Sequence, residues 1–211
     1  MIVNEFVTGI IAILIGYFLG SIPSAYIFTR MKTGKDIRQL GGGNVGGYNT
    51  LKEAGILPAI GVGIVDLGKG AAAVAIAHWA LHLDKPYVLA AAIGAVIGHN
   101  WMVWLKFKGG RGMGATIGAL AVIMSIYGYV VPEFLIFLGI VLVLLVITRN
   151  VALSMGIGLV ILPFIAWLGM GDGMFVIWSV VVGLTIAAKF VPTAIEVISK
   201  STGIRDFIRG R

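Results

Sequence analysis

From Asp36 to Asn49 the chain reads Asp-Ile-Arg-Gln-Leu-Gly-Gly-Gly-Asn-Val-Gly-Gly-Tyr-Asn. Glycines leave the backbone free to turn N–H groups toward an anion, and Arg38 can grip a phosphate through two parallel hydrogen bonds. A flexible turn that happens to be rich in glycine accounts for the same composition equally well, so this loop needs corroboration from elsewhere in the chain.

A second segment, Lys106-Phe107-Lys108-Gly109-Gly110-Arg111-Gly112, sets cations on either side of a Gly-Gly turn where an apolar helix begins. A helix N-terminus offers free N–H groups and a favourable dipole, which suits a phosphate. Charge anchoring at a membrane face explains the cations but not the three glycines. Just upstream, His99-Asn100 places an imidazole where it can act as a base, as a donor to a phosphate, or as a satisfied core residue. Asp66 and Lys69, three residues apart, share one helix face and can pair. They lie roughly 14–18 Å along their apolar helix, a depth at which ionisable groups usually face a bundle interior or a polar cavity. A buried ion pair that only locks packing remains the competing account. In Ser21-Ile22-Pro23-Ser24, the proline frees a backbone carbonyl and kinks the helix, and the serines can line a cavity. His78, His82 and Asp84 are spaced poorly for a metal and read as interfacial residues. The absence of cysteine removes thiol nucleophiles, thiolate metal sites and disulfides together.

The elements that carry these residues are membrane helices. The chain has 211 residues, 59% of them hydrophobic and 12% charged, with a mean hydropathy of +1.02. A soluble domain of this size has no means of hiding so much apolar surface. The apolar runs are long and do not alternate with period two, which excludes a barrel. No cleavable leader is expected, because the N-terminus lacks a basic region and the first apolar run is too long. Seven spans are predicted, at about 6–28, 57–81, 87–105, 113–131, 134–148, 151–169 and 174–190.

Charge placement supports that count. Of the 16 Lys and Arg residues, all but Lys69 and Lys85 fall on one side of a seven-span arrangement, which places the N-terminus outside and the C-terminus in the cytoplasm. An even number of crossings scrambles this asymmetry. The expected fold is therefore an all-α bundle of seven transmembrane helices, a single domain over residues 1–211, with no internal repeat. The polar and glycine-rich features then share the cytoplasmic side of a cell (plasma or inner) membrane. Small residues spaced by four, as in Gly94 with Gly98 and Gly110-Gly114-Gly118, predict close helix packing. The basic stretch from about residue 192 is expected to lie on anionic lipid.

Taken in order, Gly20-Ser21-Ile22-Pro23-Ser24, Asp36-Ile37-Arg38, Gly41-Gly42-Gly43-Asn44-Val45-Gly46, Asn49, Asp66 to Lys69-Gly70, Gly98-His99 and Phe107-Lys108-Gly109-Gly110-Arg111-Gly112 resemble one family. That family is the bacterial acyl-phosphate:glycerol-3-phosphate acyltransferases, seven-span enzymes of the inner membrane. The resemblance covers about residues 15–118, and its specificity lies in the order of the pieces. It implies transfer of a fatty acyl group from acyl phosphate to the 1-hydroxyl of sn-glycerol 3-phosphate. The products are lysophosphatidate and phosphate, in the first step of phospholipid synthesis. Neither acyl-CoA nor acyl carrier protein serves as direct donor, in keeping with the missing His-x4-Asp pair of the soluble-domain acyltransferases. No cofactor, metal or nucleic-acid partner is implied.

Several positions depart from the family pattern. Gly42 stands for a usual serine, Met102 for proline, Arg111 for lysine and Lys52 for arginine. The family's seventh span tends to end in His-Arg-x-Asn-Ile, whose His and Asn contribute to the active site. Here residues 188–195 read Ala-Lys-Phe-Val-Pro-Thr-Ala-Ile. The serine-bearing stretch after span five is only loosely echoed by Asn150-Val151-Ala152-Leu153-Ser154.

As an enzyme, the chain must neutralise two phosphates and hold a hydroxyl near a carbonyl carbon. Arg38, Gly41, Gly43, Asn44, Gly46 and Asn49 are expected to hold one phosphate. Lys69, Lys108, Gly109, Gly110, Arg111 and Gly112 serve the other, with Ser21 and Asp66 lining the site. Which phosphate goes where stays open. His99 is the best-placed protein base, although a substrate phosphate can also take the proton. Lys69 or backbone N–H groups can stabilise the oxyanion. The alternative is a non-catalytic membrane protein that binds or transports an organic phosphate, favoured by the intramembrane Asp66/Lys69 pair and the missing C-terminal His and Asn.

Overall fold

The structure, a computed structural model, describes residues 2–128, 131–148 and 151–200. Every regular element among them is helical. In chain order these are α1 (Ile2–Gly20), α2 (Ser24–Thr33), a 3-10 turn (Ile37–Gln39), α3 (Gly47–Ala54) and α4 (Ile56–Ala75), which continues through a widened turn at Ile76–Ala80. Then come α5 (Lys85–Asn100), a 3-10 turn (Val103–Leu105), α6 (Met113–Ile126), α7 (Val131–Thr148), α8 (Val151–Ile165), a widened turn (Ala166–Met170) and α9 (Gly173–Lys200). The chain forms two compact units, Met1–Ile123 and Met124–Arg211.

Four stretches are long and apolar enough to cross a membrane: Asn4–Thr33, Ile56–Ala80, Lys85–Leu105 and Gly173–Val191. Met113–Ile126, Leu135–Thr148 and Gly156–Gly169 are shorter apolar helices. Leu57, Ile64, Val146, Leu168 and Leu184 are among the large side chains left on the outside. Water would penalise such a surface, whereas hydrocarbon is its natural solvent.

The helix boundaries differ from the hydropathy reading at several places. The first span is not one helix, because Pro23 has no N–H to donate and its ring disrupts the preceding turn. The backbone breaks at 21–23, and α2 restarts and runs on to Gly34, whose left-handed φ of 72° and N–H to Arg30 carbonyl close it. The third span stops being helical at Asn100, and residues 101–112 fold back in tight turns. Lys106 and Phe107 take positive φ values of 56° and 58° there. The fourth ends at Ile126 instead of 131, followed by Gly128 with φ +66°.

In the first unit, α1 and α5 approach almost backbone to backbone. A methyl group on Gly94 would sit 2.6 Å from the Ile13 carbonyl oxygen, and one on Gly98 would strike that of Tyr17. Gly118 likewise allows α6 to lie on the Leu67 carbonyl of α4. The four-residue spacing of small residues thus does mark helix contacts. A buried cluster of Ala25, Ile37, Val45, Val62, Met102 and Leu105 pins α2, the glycine-rich loop, α4 and the 102–105 turn together. In the second unit, Phe175 and Trp178 stack at 5.3 Å between ring centroids, and Phe137 and Leu162 are buried. Asp172 caps α9 by accepting the N–H groups of Met174 (3.0 Å) and Phe175 (3.2 Å). The helix α9 carries on past Val191 to Lys200, while residues 201–211 of the basic tail and the Arg149-Asn150 pair lie outside the described residues.

Candidate active site

The break at Pro23 builds the first part of the site. The Ile22 carbonyl, which accepts the Ser24 N–H at 3.0 Å, also accepts a hydrogen bond from Lys69 Nζ at 3.3 Å. The same ammonium lies 2.8 Å from Asp66 Oδ1. Ser24, first residue of α2, donates its hydroxyl to that carboxylate oxygen at 2.7 Å. His99 Nδ1 lies 3.6 Å from it, on the last turn of α5. Lys69, Asp66 and His99 are only 3%, 5% and 3% exposed. Three helices therefore meet on one carboxylate, carrying a cation, a hydroxyl and an imidazole. Buried charges persist only where they are paired and hydrogen-bonded in this way.

Around this cluster, Ser21 Oγ donates to the Gly98 carbonyl at 3.3 Å and Tyr17 Oη to that of Trp101 at 2.9 Å, tying α1 to the end of α5. The returning turn closes on the histidine. Gly110 donates its N–H to the His99 carbonyl at 3.0 Å. A methyl group at Gly110 would strike His99 Nε2 and sit 2.5 Å from the Val45 carbonyl oxygen. A side chain at Gly109 would meet the carbonyls of His99 and Asn100. The imidazole edge, the glycine-rich loop and the Gly109–Gly112 turn thus converge, because only hydrogen-sized residues allow it. Gly112, with φ +76°, opens α6 and fits against the Asn100 side chain at 2.7 Å for an added methyl group.

The glycine-rich loop is held from two sides. Asp36 accepts the Arg38 N–H at 2.9 Å and its guanidinium Nε at 3.0 Å and Nη2 at 2.6 Å, while Arg38 Nη1 reaches the Leu105 carbonyl at 3.3 Å. The Arg38 hydrogen bonds hold the Asp36 carboxyl below its ordinary value, and the carboxylate in turn raises the Arg38 guanidinium. The Tyr26 ring lies 5.6 Å from the Arg30 guanidinium and 5.7 Å from that of Arg38. The Asn49 amide turns inward to the loop carbonyls. Gly41 and Gly43 adopt left-handed φ values of 53° and 67°. Asn44 is half-buried and Gly46, extended at φ −161°, precedes α3.

The structure brings Ser21, Asp66, Lys69, His99, Gly109, Gly110 and, through Val45, the 41–47 loop into one neighbourhood. Arg38 stands on the loop's other flank with its fork occupied by Asp36, and Lys108 is exposed on the 101–112 turns. Arg111 is half-buried, and burial draws its guanidinium below the ordinary value. The contact of His99 with Asp66, the Ser24 hydroxyl on Asp66 and the Ile22 carbonyl on Lys69 were not foreseen. The helix break that Pro23 forces was the one available signal. His78, His82 and Asp84 do not form a metal-holding group, and none occurs among the described residues.

Residues 10–200 match the protein family described as glycerol-3-phosphate acyltransferase. The chain is 48% identical over 181 residues to glycerol-3-phosphate acyltransferase 1 of Dehalococcoides mccartyi, covering 85% of this chain and 86% of that one. Identity is 38% over 157 residues with glycerol-3-phosphate acyltransferase 2 of Moorella thermoacetica, covering 74% and 76% of the two chains. The fold is similar to a solved structure of PlsY (YgiH), an integral membrane glycerol 3-phosphate acyltransferase, in its glycerol 3-phosphate form. That match has a TM-score of 0.80 at 21% identity and covers 92% and 93% of the two chains. With the motifs in order, a matching helical architecture and relatives aligned over most of its length, the chain belongs to the glycerol-3-phosphate acyltransferase family.

Proposed function

We propose that this membrane protein transfers a fatty acyl group from acyl phosphate to the 1-hydroxyl of sn-glycerol 3-phosphate. The hydroxyl oxygen bonds to the acyl carbonyl carbon, the bond from that carbon to the phosphate oxygen breaks, and inorganic phosphate leaves with the electron pair. The observation that carries this reading is the buried Asp66–Lys69–His99 cluster, set against two glycine-rich turns in a chain of this family.

In this reading the His99 imidazole, whose Nε2 faces the turn at Gly110, takes the hydroxyl proton, and Asp66 stabilises the imidazolium that results. A substrate phosphate oxygen is the other proton acceptor. Lys69 supplies a fixed positive charge beside the site where an oxyanion develops. The 41–46 loop takes the phosphate of one substrate, with Arg38 lending positive charge from its flank while Asp36 holds its fork; Lys108, Arg111 and the Gly109–Gly112 N–H groups take that of the other. Acyl phosphate is already activated, so holding the two reactants together supplies much of the rate. The acyl chain lies between helices, reached sideways from lipid.

The topology goes with this reading: seven crossings of the cell membrane, the shorter apolar helices included, with the N-terminus outside and the site facing the cytoplasm. The distribution of Lys and Arg supports it.

The test is a reconstitution. Purified, folded protein is mixed with acyl phosphate and glycerol 3-phosphate, and both phosphate and lysophosphatidate are measured. Equal amounts of the two products are expected. Absence of turnover across a series of acyl chain lengths refutes the proposal, and uptake of labelled glycerol 3-phosphate into liposomes without acylation points instead to a transporter.

A further inference from the structure

We propose that Asn49 is a positioning residue for a substrate phosphate: its carboxamide braces the 37–46 loop so that the loop's N–H groups face the anion, and it does not touch the phosphate. The inference rests on the function proposed above.

Asn49 lies in the first turn of α3 and is buried. Its Nδ2 is 3.0 Å from the Leu40 carbonyl oxygen, 3.0 Å from that of Asn44 and 3.5 Å from that of Ile37. A carboxamide has two N–H donors, so these three acceptors use its whole donating capacity. Its Oδ1 also faces the loop, because a methyl group on Gly41 would collide with it. Both ends of the side chain are thus turned to the loop.

The consequence is a sorting of backbone polarity. Carbonyls of Ile37, Leu40 and Asn44 gather on one inner donor. Leu40, Gly43 and Gly46 close short turns through N–H bonds to Ile37 (3.2 Å), Leu40 (2.9 Å) and Asn44 (3.1 Å). Among the described residues, no acceptor meets the N–H groups of Gly41, Gly42, Asn44 or Val45. Successive N–H groups in a loop with left-handed glycines form a concavity suited to an anion. The left-handed φ values at Gly41 and Gly43 are what a loop pinned at 37, 40 and 44 requires.

The experiment compares the detergent-purified wild type with Asn49→Ala and with Asn49→Asp, in which an isosteric oxygen replaces the donor. Amide hydrogen exchange is read residue by residue without substrate, and Michaelis constants are measured for both substrates. Bracing predicts faster exchange at Leu40, Gly43 and Gly46, with α1 and α5 unchanged. It also predicts a KM raised about tenfold for one of the two phosphate substrates, glycerol 3-phosphate or acyl phosphate, with kcat and the other KM nearly constant, and the KM that rises names the loop's substrate. A raised KM with unchanged exchange means that the side chain binds the phosphate directly, and overturns the proposal. Faster exchange with unchanged KM overturns it too, by separating the loop from substrate binding. Should neither variant stay folded, the wild type alone decides. Either glycerol 3-phosphate or acyl phosphate must slow exchange at Gly41, Gly42, Asn44 and Val45, and no protection there by either defeats the inference. Failure of the acyltransferase reading is distinct, since it shows as absent turnover in the wild type.

Discussion

Replacing Lys69 by methionine separates catalysis from packing. The ammonium of Lys69 sits 2.8 Å from Asp66 and 3.3 Å from the Ile22 carbonyl, almost fully buried. Methionine fills much the same volume without the charge. At an effective dielectric constant near 20, a unit charge pair 2.8 Å apart attracts by about 6 kcal/mol, which desolvation largely offsets. Removing one partner leaves the other charge buried and uncompensated, at about 3–5 kcal/mol. Lys69→Met is therefore expected to lower the thermal unfolding midpoint markedly in detergent. The double variant Asp66→Asn/Lys69→Met removes both charges, and stability should return to within about 1–2 kcal/mol of wild type. Activity should not return with it. If Lys69 stabilises developing negative charge, phosphate release in the double variant stays depressed by about 100-fold or more. A double variant that regains both stability and turnover refutes the catalytic role and leaves the pair as a packing lock. A single variant as stable as wild type refutes the electrostatic reasoning itself.

Three further outcomes follow from the geometry. Asp36, held below its ordinary value of 3.8 by Arg38, contributes stability to the loop that is complete above the unfolded carboxyl's pKa, near pH 4, and fades as the pH falls through the lowered folded value. Asn in its place should remove this acid-side dependence, read by loop amide exchange between about pH 2 and 5. Gly98→Ala should cost about 1–3 kcal/mol by pushing α1 from α5 at the Tyr17 carbonyl, whereas Gly63→Ala, with nothing within 4 Å, should be neutral or mildly stabilising in thermal unfolding. Gly110→Ala places a methyl group on His99 Nε2 and the Val45 carbonyl, so kcat should fall by about 100-fold, and wild-type kinetics there would contradict the placement of the imidazole.

What the sequence by itself determined was mostly local or averaged. Hydropathy over whole segments identified membrane helices, because the transfer of a 20-residue stretch is a sum that needs no partner. The Asp66/Lys69 pairing was legible because helical periodicity puts residues three apart on one face, and the Gly94/Gly98 contact because small residues at that spacing form a flat stripe. Tertiary structure alone decided which groups on different helices meet. Nothing local to Asp66 names Ser24 or His99 as its neighbours, and nothing local to Asn49 tells a phosphate ligand from a brace on three carbonyls. The end of α5 at Asn100 was equally hidden, since Trp101 to Leu105 remain apolar while their backbone turns back. An average of side-chain hydrophobicity registers what a segment dissolves in. Where its backbone hydrogen bonds go is settled by the surfaces that pack against it.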